Sequence, residues 1–307
     1  MKKFTSYKIA PEHAGLTVET YLKQILKYSG RHLQKLTRKK GIRIHGRPSF
    51  LQKILRPGDI IQVCLLQDTS YGVQPEKGPV TILYEDTNMY VLNKPPYQLV
   101  HPTGYTTSGT LANYLAHYLQ AQQITAVPRA VHRLDRNTSG CILFAKNSQS
   151  QFLLEEQLKT KQLTRRYWAL VQGNAAPACG TINAAVAIHP SRPNRRIISV
   201  QGDPAVTHYR TLRRLGDATL LELTLDTGRT HQIRLHLAHI GHPIIGDAMY
   251  GVASPYIARQ ALHAASVTFR RISDKKPITV HAPLPQDLRT VLEYYSPSHQ
   301  RLHPAEE

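Results

Sequence analysis

VHRLDRNTSGCILFAK, residues 131–146, places one carboxylate, Asp135, between two arginines, Arg133 and Arg136. A polar turn follows, Asn137-Thr138-Ser139-Gly140, and then an apolar run over 141–145. That run is short and rich in strand formers, which predicts a buried strand. The carboxylate then stands on a loop that feeds a rigid strand, a frequent way of holding a reactive group in place. Taken alone, an Asp beside Arg and Ser/Thr is more often a turn former or a surface ion pair, so its meaning depends on the rest of the chain.

The chain has 307 residues, enough for one large domain or two. Its hydrophobic content of 41% supplies a core and argues against wholesale disorder. The formal net charge of +19 calls for a polyanionic partner, nucleic acid first and an anionic membrane second. The three cysteines, Cys64, Cys141 and Cys179, are widely separated and show neither a CxxC pair nor a Cys/His zinc spacing. A disulfide framework is therefore not expected, and a reducing cytoplasm fits best. The N-terminal stretch lacks the apolar core of a signal peptide, and no run of about 18 apolar residues predicts a membrane span.

Charge is concentrated near the N-terminus. Between residues 20 and 58 there is no acidic residue, while eleven lysines and arginines occur. Among them are Arg31, Lys35, Arg38, Lys39 and Arg43. Val18, Leu22, Ile25 and Leu26 recur at helical spacing, and Leu33 and Leu36 start again after Ser29-Gly30. Residues 42–46 alternate like a strand, and the turn at Arg56-Pro57-Gly58-Asp59 leads into another. So many like charges repel one another, which favours a phosphate-binding surface over an ordinary solvated face. The Gly- and Pro-rich stretch 67–79 reads as a linker, which divides the chain into 1–66, the linker, a larger domain over 80–295 and a frayed tail from 296 to 307.

In the larger domain, strands are expected over 81–84 and 89–94 and helices over 111–119 and 151–163. Phe152, Leu153, Leu154 and Leu158 would form the buried stripe of the second helix. Strands follow from 164 to 225 without a regular βαβ rhythm, which predicts an α+β fold rather than a doubly wound one. His236, His239 and His242 tempt a zinc reading. Their i, i+3, i+6 spacing spreads them around a helix, and no Glu stands as in HExxH. Core packing or RNA contact is the better expectation, with no metal and no cofactor.

Several blocks, in order, resemble the RluA-type pseudouridine synthases. HRLD-x-x-TSG is the block around Asp135. NKP and VHP stand at 93–95 and 100–102, with Tyr97-Gln98 where the family usually has Gly or Ala. TRRYWALVQG at 164–173 is similar to K-x-Y-x-A-L-V-x-G, with Arg165 in place of Lys. TGRTHQIRLHLAHIGHPIIGDAMYG at 227–251 matches its counterpart almost position for position, and LHA at 262–264 matches a later block. The N-terminal piece resembles an S4 RNA-binding domain, which implies that Arg31, Lys35, Arg38, Lys39 and Arg43 meet RNA phosphates.

The resemblance implies an α+β catalytic domain with a mixed or antiparallel sheet, and an isomerase that converts uridine in structured RNA. Ribosomal RNA is favoured over transfer RNA, and a monomer is expected. Asp135 would be catalytic, either attacking the sugar or removing a sugar proton. Both roles need the carboxylate ionised, which in a water-poor pocket calls for a cationic partner; the family places it at Arg234, with Arg229 the second choice. Tyr167 would lie against the uracil and serve in removing the C5 proton. Arg133 would assist base flipping, His132 would contact the backbone or support the loop, and Thr138 and Gln232 would complete the substrate site. Isomerisation releases no atom, so no cofactor is implied. Two other readings compete: a catalytically silent RNA-binding or assembly protein, and an Asp-nucleophile hydrolase, for which no water-activating base or metal can be placed.

Overall fold

The computed structural model describes residues 4–175 and 177–296. At the N-terminal end, β1 (Phe4–Lys8), β2 (Ile42–Ile44), β3 (Arg47–Pro48) and β4 (Ile60–Cys64) form an antiparallel sheet in the order β1-β4-β2-β3. The expected first helix is brief. α1 (Val18–Thr20) widens into a π turn over Tyr21–Ile25, which leaves Ile25 39% exposed. Ser29 starts α2 (Gly30–Arg38) by accepting a hydrogen bond from the His32 backbone N–H. Leu33 and Leu36 turn inward onto Ile42, Ile61 and Val63 in a core of their own. Arg31, Lys35 and Arg38, at i, i+4 and i+7, share the exposed face of α2.

The second sheet has ten strands. In chain order the strands beyond β4 are β5 (Ile82–Glu85), β6 (Met89–Lys94), β7 (Arg129–Ala130), β8 (Ser139–Ala145), β9 (Thr164–Gln172) and β10 (Cys179–Asn183). β11 (Val186–His189) and β12 (Arg192–Ile198) follow, and then β13 (Val206–Leu215), β14 (Ala218–Leu225), β15 (Leu262–Arg270) and β16 (Pro277–His281). The main path runs β10-β13-β14-β9-β15-β8-β6-β5, with β16 on β15 and β7 on β8, while β11 and β12 form a separate ribbon. The helices here are α3 (Leu111–Ala121), α4 (Ser148–Lys159), α5 (Gln232–His239) and α6 (Gln286–Tyr294). No helix among the described residues is long and apolar enough to cross a membrane.

The strand expected after the Asp135 turn is β8, and all seven of its residues are buried. Ile142 and Phe144 face a core shared with α3, α5 and α6, while Cys141, Leu143 and Ala145 face a second core that contains Leu154 of α4. Cover on both faces explains why the run is continuously apolar rather than alternating. β8 also makes the one parallel pairing among the described strands, setting Ala264 of β15 opposite Gly140. Gly140 has φ +111, and a Cβ there would stand 2.2 Å from the Ala264 carbonyl oxygen. Only glycine lets the two backbones approach so closely.

Two expectations are revised. The stripe assigned to α4 is narrower: Leu154 is buried, but Phe152, Leu153 and Leu158 are only half-buried. The other buried positions are Ser150 and Gln157, and the Gln157 amide donates to the Arg270 carbonyl at 2.8 Å and accepts from its N–H at 2.9 Å. α4 is thus fastened to the end of β15 by a polar anchor. Residues 67–79 form neither helix nor strand, yet they are not a loose tether. Arg129 of β7 grips Asp68 through two nitrogens, each at 2.6 Å. Asn113 of α3 donates to the Gln74 carbonyl at 2.7 Å, and Glu76 accepts from the Gly109 N–H at 2.6 Å. Of the expected tail, positions 297–307 lie outside the described residues.

Candidate active site

Asp135 stands just ahead of β8, in a turn closed by the Thr138 N–H donating to its carbonyl at 3.0 Å. Its side chain is 18% exposed. Two buried cations hold the turn from behind. Lys94, at the end of β6, is completely buried, and its ammonium donates to the carbonyls of Pro95, Gln98 and Arg136 at 2.8, 2.8 and 2.9 Å. Burial pushes Lys94 down to about 7, the nearby Arg259 acts in the same direction, and Asp135 opposes both. The three accepting carbonyls also favour the charged form.

Arg259 is the other cation. It forms a two-nitrogen pair with Asp287 of α6, at 2.6 and 2.9 Å. Nη1 donates to the carbonyls of Asn137, Gln260 and Leu262 at 3.0, 3.3 and 3.2 Å, and Nη2 reaches the Ser139 hydroxyl at 3.4 Å. One guanidinium therefore joins the Asp135 turn, the start of β8, β15 and the last helix. Arg136 completes the set by donating to the Tyr97 carbonyl at 3.2 Å.

Facing Asp135 is α5. Arg234, in its first turn, is 8% exposed and sets Nη1 3.5 Å from Asp135 Oδ2. Its tighter partner is Asp247, which takes Nε at 2.7 Å and Nη2 at 2.8 Å. Burial alone disfavours the Arg234 cation. The hydrogen bonds to Asp247, together with the charges of Asp247 and Asp135, more than offset this and hold it above the ordinary arginine value. Asp247 is itself fixed by accepting from the backbone N–H groups of Met249 and Tyr250. The Tyr250 ring lies 5.1 Å from the Arg234 guanidinium. Its oxygen accepts from Arg196 N–H at 2.8 Å, and its hydroxyl faces His231 Nδ1 at 3.0 Å. His231 enters α5 in the left-handed conformation, φ 59, a strained setting for a residue with a side chain.

Between these walls lies a cleft open to solvent. Asp135, Tyr167 and Arg234 all line it. So do Arg133, Thr138, Arg229 and Gln232. Arg133 and Arg229 are exposed at the mouth, while Thr138 and Gln232 are buried in the wall. Gln232 organises that wall. Its oxygen accepts from the Thr227 hydroxyl at 2.8 Å and from the Arg229 N–H at 2.9 Å, and its amide donates to the Val206 carbonyl and the Thr207 hydroxyl, both at 3.0 Å. Tyr167 and Arg165 alternate inward along β9, which places both on the cleft. Burial raises the Tyr167 hydroxyl; Arg165 opposes that shift and Asp135 adds to it, so the phenol stays protonated and can donate.

His132 does not line the cleft. It is buried behind the turn, where its Nε2 accepts from the Leu143 N–H at 3.3 Å. Burial drives it down to about 3, aided by Arg165, so the ring is neutral. Of the histidines on and after α5, His236 has both ring nitrogens engaged, by Thr207 and by the Ala184 carbonyl, each at 2.9 Å. His242 bonds the Gln172 carbonyl at 3.0 Å. No three His, Cys, Asp or Glu side chains among the described residues gather as a metal site requires.

The five N-terminal candidates are not part of this cleft. Arg31, Lys35, Arg38 and Lys39 are exposed, while the Arg43 guanidinium lies 4.5 Å from the Phe4 ring centre. Lys94, Arg259, Asp287 and Tyr250 were not expected from sequence as site residues. Lys94 and Tyr250 fall inside motifs that match the family, so a signal for them existed. Nothing local marks Arg259, whose bond to Asn137 spans 122 residues.

A family profile described as RNA pseudouridylate synthase matches residues 88–239, from just before β6 to the end of α5. The uncharacterized RNA pseudouridine synthase YhcT of Bacillus subtilis (strain 168) is 38% identical over 283 residues, covering 92% of this chain and 94% of the relative. Ribosomal large subunit pseudouridine synthase D of Xylella fastidiosa is 41% identical over 251 residues, 76% of this chain and 75% of the relative. Among solved structures, human RNA Pseudouridylate Synthase Domain Containing 1 superposes with a TM-score of 0.55 at 26% identity, over 68% of this chain and 86% of that one. The matched profile contains both the Asp135 turn and Arg234, and the chain belongs to the RNA pseudouridine synthase family, isomerases that act on RNA.

Proposed function

We propose that this enzyme isomerises one or more uridines of large-subunit ribosomal RNA, with Asp135 as its catalytic carboxylate. The observation that carries the reading is the Asp135–Arg234–Asp247 arrangement on a cleft open to solvent. A carboxylate meant to react must be ionised yet not fully neutralised. Arg234 spends its two strong hydrogen bonds on Asp247 and offers Asp135 only a 3.5 Å contact. Asp135 therefore has a cation beside it and an oxygen free to act.

The target nucleotide leaves its stack and enters the cleft, a step that costs a few kcal/mol and is offset by basic contacts at the mouth, Arg133 and Arg229. The bond between sugar C1′ and uracil N1 breaks, and its electron pair stays with the base. Asp135 either forms a C1′–O bond or takes the C2′ proton to leave a glycal. The base turns and C5 bonds to C1′, as the C1′–O bond to Asp135 breaks or, on the glycal route, as Asp135 returns the proton to C2′. The C5 proton then leaves and N1 gains a proton, so the product has the atoms of the substrate. Tyr167 stands beside the base and serves the C5 proton transfer.

Ribosomal RNA is preferred because relatives of this similarity bear the name ribosomal large subunit pseudouridine synthase D. The N-terminal unit acts as an S4-like anchor, with Arg31, Lys35 and Arg38 binding phosphates without reading bases. The test is pseudouridine mapping of ribosomal and transfer RNA from cells carrying the wild-type gene or Asp135→Asn. A ribosomal site lost in the mutant supports the proposal. A lost transfer-RNA site would move the substrate, and no lost site would argue for a silent assembly role.

A further inference from the structure

Three arginines of the catalytic half are buried, and two have acidic partners: Arg234 with Asp247, and Arg259 with Asp287. The third, Arg165, has none. It is 8% exposed, and no carboxylate among the described residues lies within ion-pair distance of it. Its Nε is fully buried with no hydrogen-bond partner. It shares the cleft wall with Tyr167 and with Gly228, where a Cβ would stand 3.5 Å from Nη1. A buried cation without a counter-charge is costly and persists where a ligand supplies the charge. Arg165 lines the Asp135 cleft.

We propose that Arg165 holds the uracil of the target nucleotide and stabilises the negative charge that the base acquires as the glycosidic bond breaks. This rests on the isomerase reading above. When C1′–N1 breaks, the electron pair spreads over N1 and the two carbonyl oxygens of the ring. Asp135 acts on the sugar and cannot stabilise an anion. A fixed guanidinium beside the base can, and it need not reorganise when the charge appears. Depth favours the base over a phosphate. Arg165 sits with Tyr167 on the inward face of β9, while the exposed mouth carries Arg133 and Arg229, where the phosphates pass.

The experiment compares wild type, Arg165→Met and Arg165→Lys on an RNA that the wild-type enzyme converts. Three quantities are read: the single-turnover rate at saturating RNA, the RNA Kd, and the Tm of the RNA-free protein. Arg165→Met should lower the rate by about 10²-fold or more, change Kd by less than about 3-fold, and leave Tm unchanged or higher, because an unpaired buried charge has been removed. Arg165→Lys should recover part of the rate. An unchanged rate overturns the proposal. A weaker Kd at an intact rate assigns Arg165 to a phosphate and also overturns it. A fall in Tm that tracks the fall in rate in both variants makes the residue structural. The wild-type reaction in the same assay keeps the isomerase reading separate, since it survives every one of these failures.

Discussion

The Asp135 turn and the basic face of α2 are both built from charge, and they are held in opposite ways. Behind and opposite Asp135 three cations are buried and aimed: Lys94 at three carbonyls, Arg259 at a carboxylate and the turn backbone, Arg234 at two carboxylates. Along α2 the cations stand in solvent on one helix stripe. The buried set holds the Asp135 turn through directed hydrogen bonds, the kind of positioning that the proposed bond-making role requires. For the RNA contact proposed for it, the exposed set needs only to be positive, because phosphate binding through counterion release tolerates loose geometry. Damage to the first should therefore be abrupt and geometric, and damage to the second graded and dependent on salt.

The sharpest way to break the first region is at Gly140. Gly140→Ala drives a methyl group into the Ala264 carbonyl across the parallel β8–β15 pair. It should cost about 3 kcal/mol or more, read as a fall in the urea midpoint together with loss of activity. A midpoint within error of wild type would mean that the approach of the two backbones is not needed.

The pH dependence of stability probes the neutral histidines behind the site. Burial holds folded His132 at about 3 and His263 at about 4, against about 6.5 in the unfolded chain. As pH falls, the unfolded chain takes up the protons first. Their contribution is complete above the unfolded value and is lost below it. From about pH 8 to about pH 5 each costs about 2 kcal/mol. His132→Gln should remove one such increment from the urea-derived profile, whatever its effect at neutral pH, and an unchanged slope would count against the buried neutral ring.

A gentler break is Asp287→Asn, which loosens the grip of α6 on Arg259. Because Asp287 is 34% exposed, the cost should be about 1–2 kcal/mol, below that of a fully buried pair. The turnover rate should fall more than RNA affinity does. An affinity loss at an unchanged rate would place α6 in RNA binding instead.

The smallest effect on stability, and the contrast with the other three, should come from Arg31→Ala, Lys35→Ala and Arg38→Ala combined. Arg43 is left out because its guanidinium lies on Phe4. Stability should stay within about 0.5 kcal/mol. RNA affinity should drop and its salt slope flatten by up to about 0.9 log unit per lost phosphate contact on duplex. An unchanged slope would remove α2 from the RNA path.

The same contrast governs what could be read from the sequence. The Asp135 turn, Tyr167 and Arg234 lie in contiguous blocks with strong local patterns, and the cleft brings all three together. β8 was legible because an apolar run bounded by a Gly turn has few other meanings. The packing of α4 was not, since whether Phe152 or Gln157 is buried depends on how the helix lies against β7 and β8 and meets the end of β15. Arg259 was illegible for the same reason: its six bonds connect segments that only folding brings together. The turn at Tyr97 shows a smaller limit. Its φ of 64 is a setting that glycine adopts freely, and the sequence alone did not say how tyrosine fits there.

On the function proposed, Asp135 performs chemistry rather than binding. The most direct measurement is single-turnover pseudouridine formation by purified wild type and Asp135→Asn on the same ribosomal RNA, with Kd determined in parallel. Conversion should fall by at least about 10³-fold while Kd stays within a few-fold. Conversion at the wild-type rate by Asp135→Asn would contradict the account.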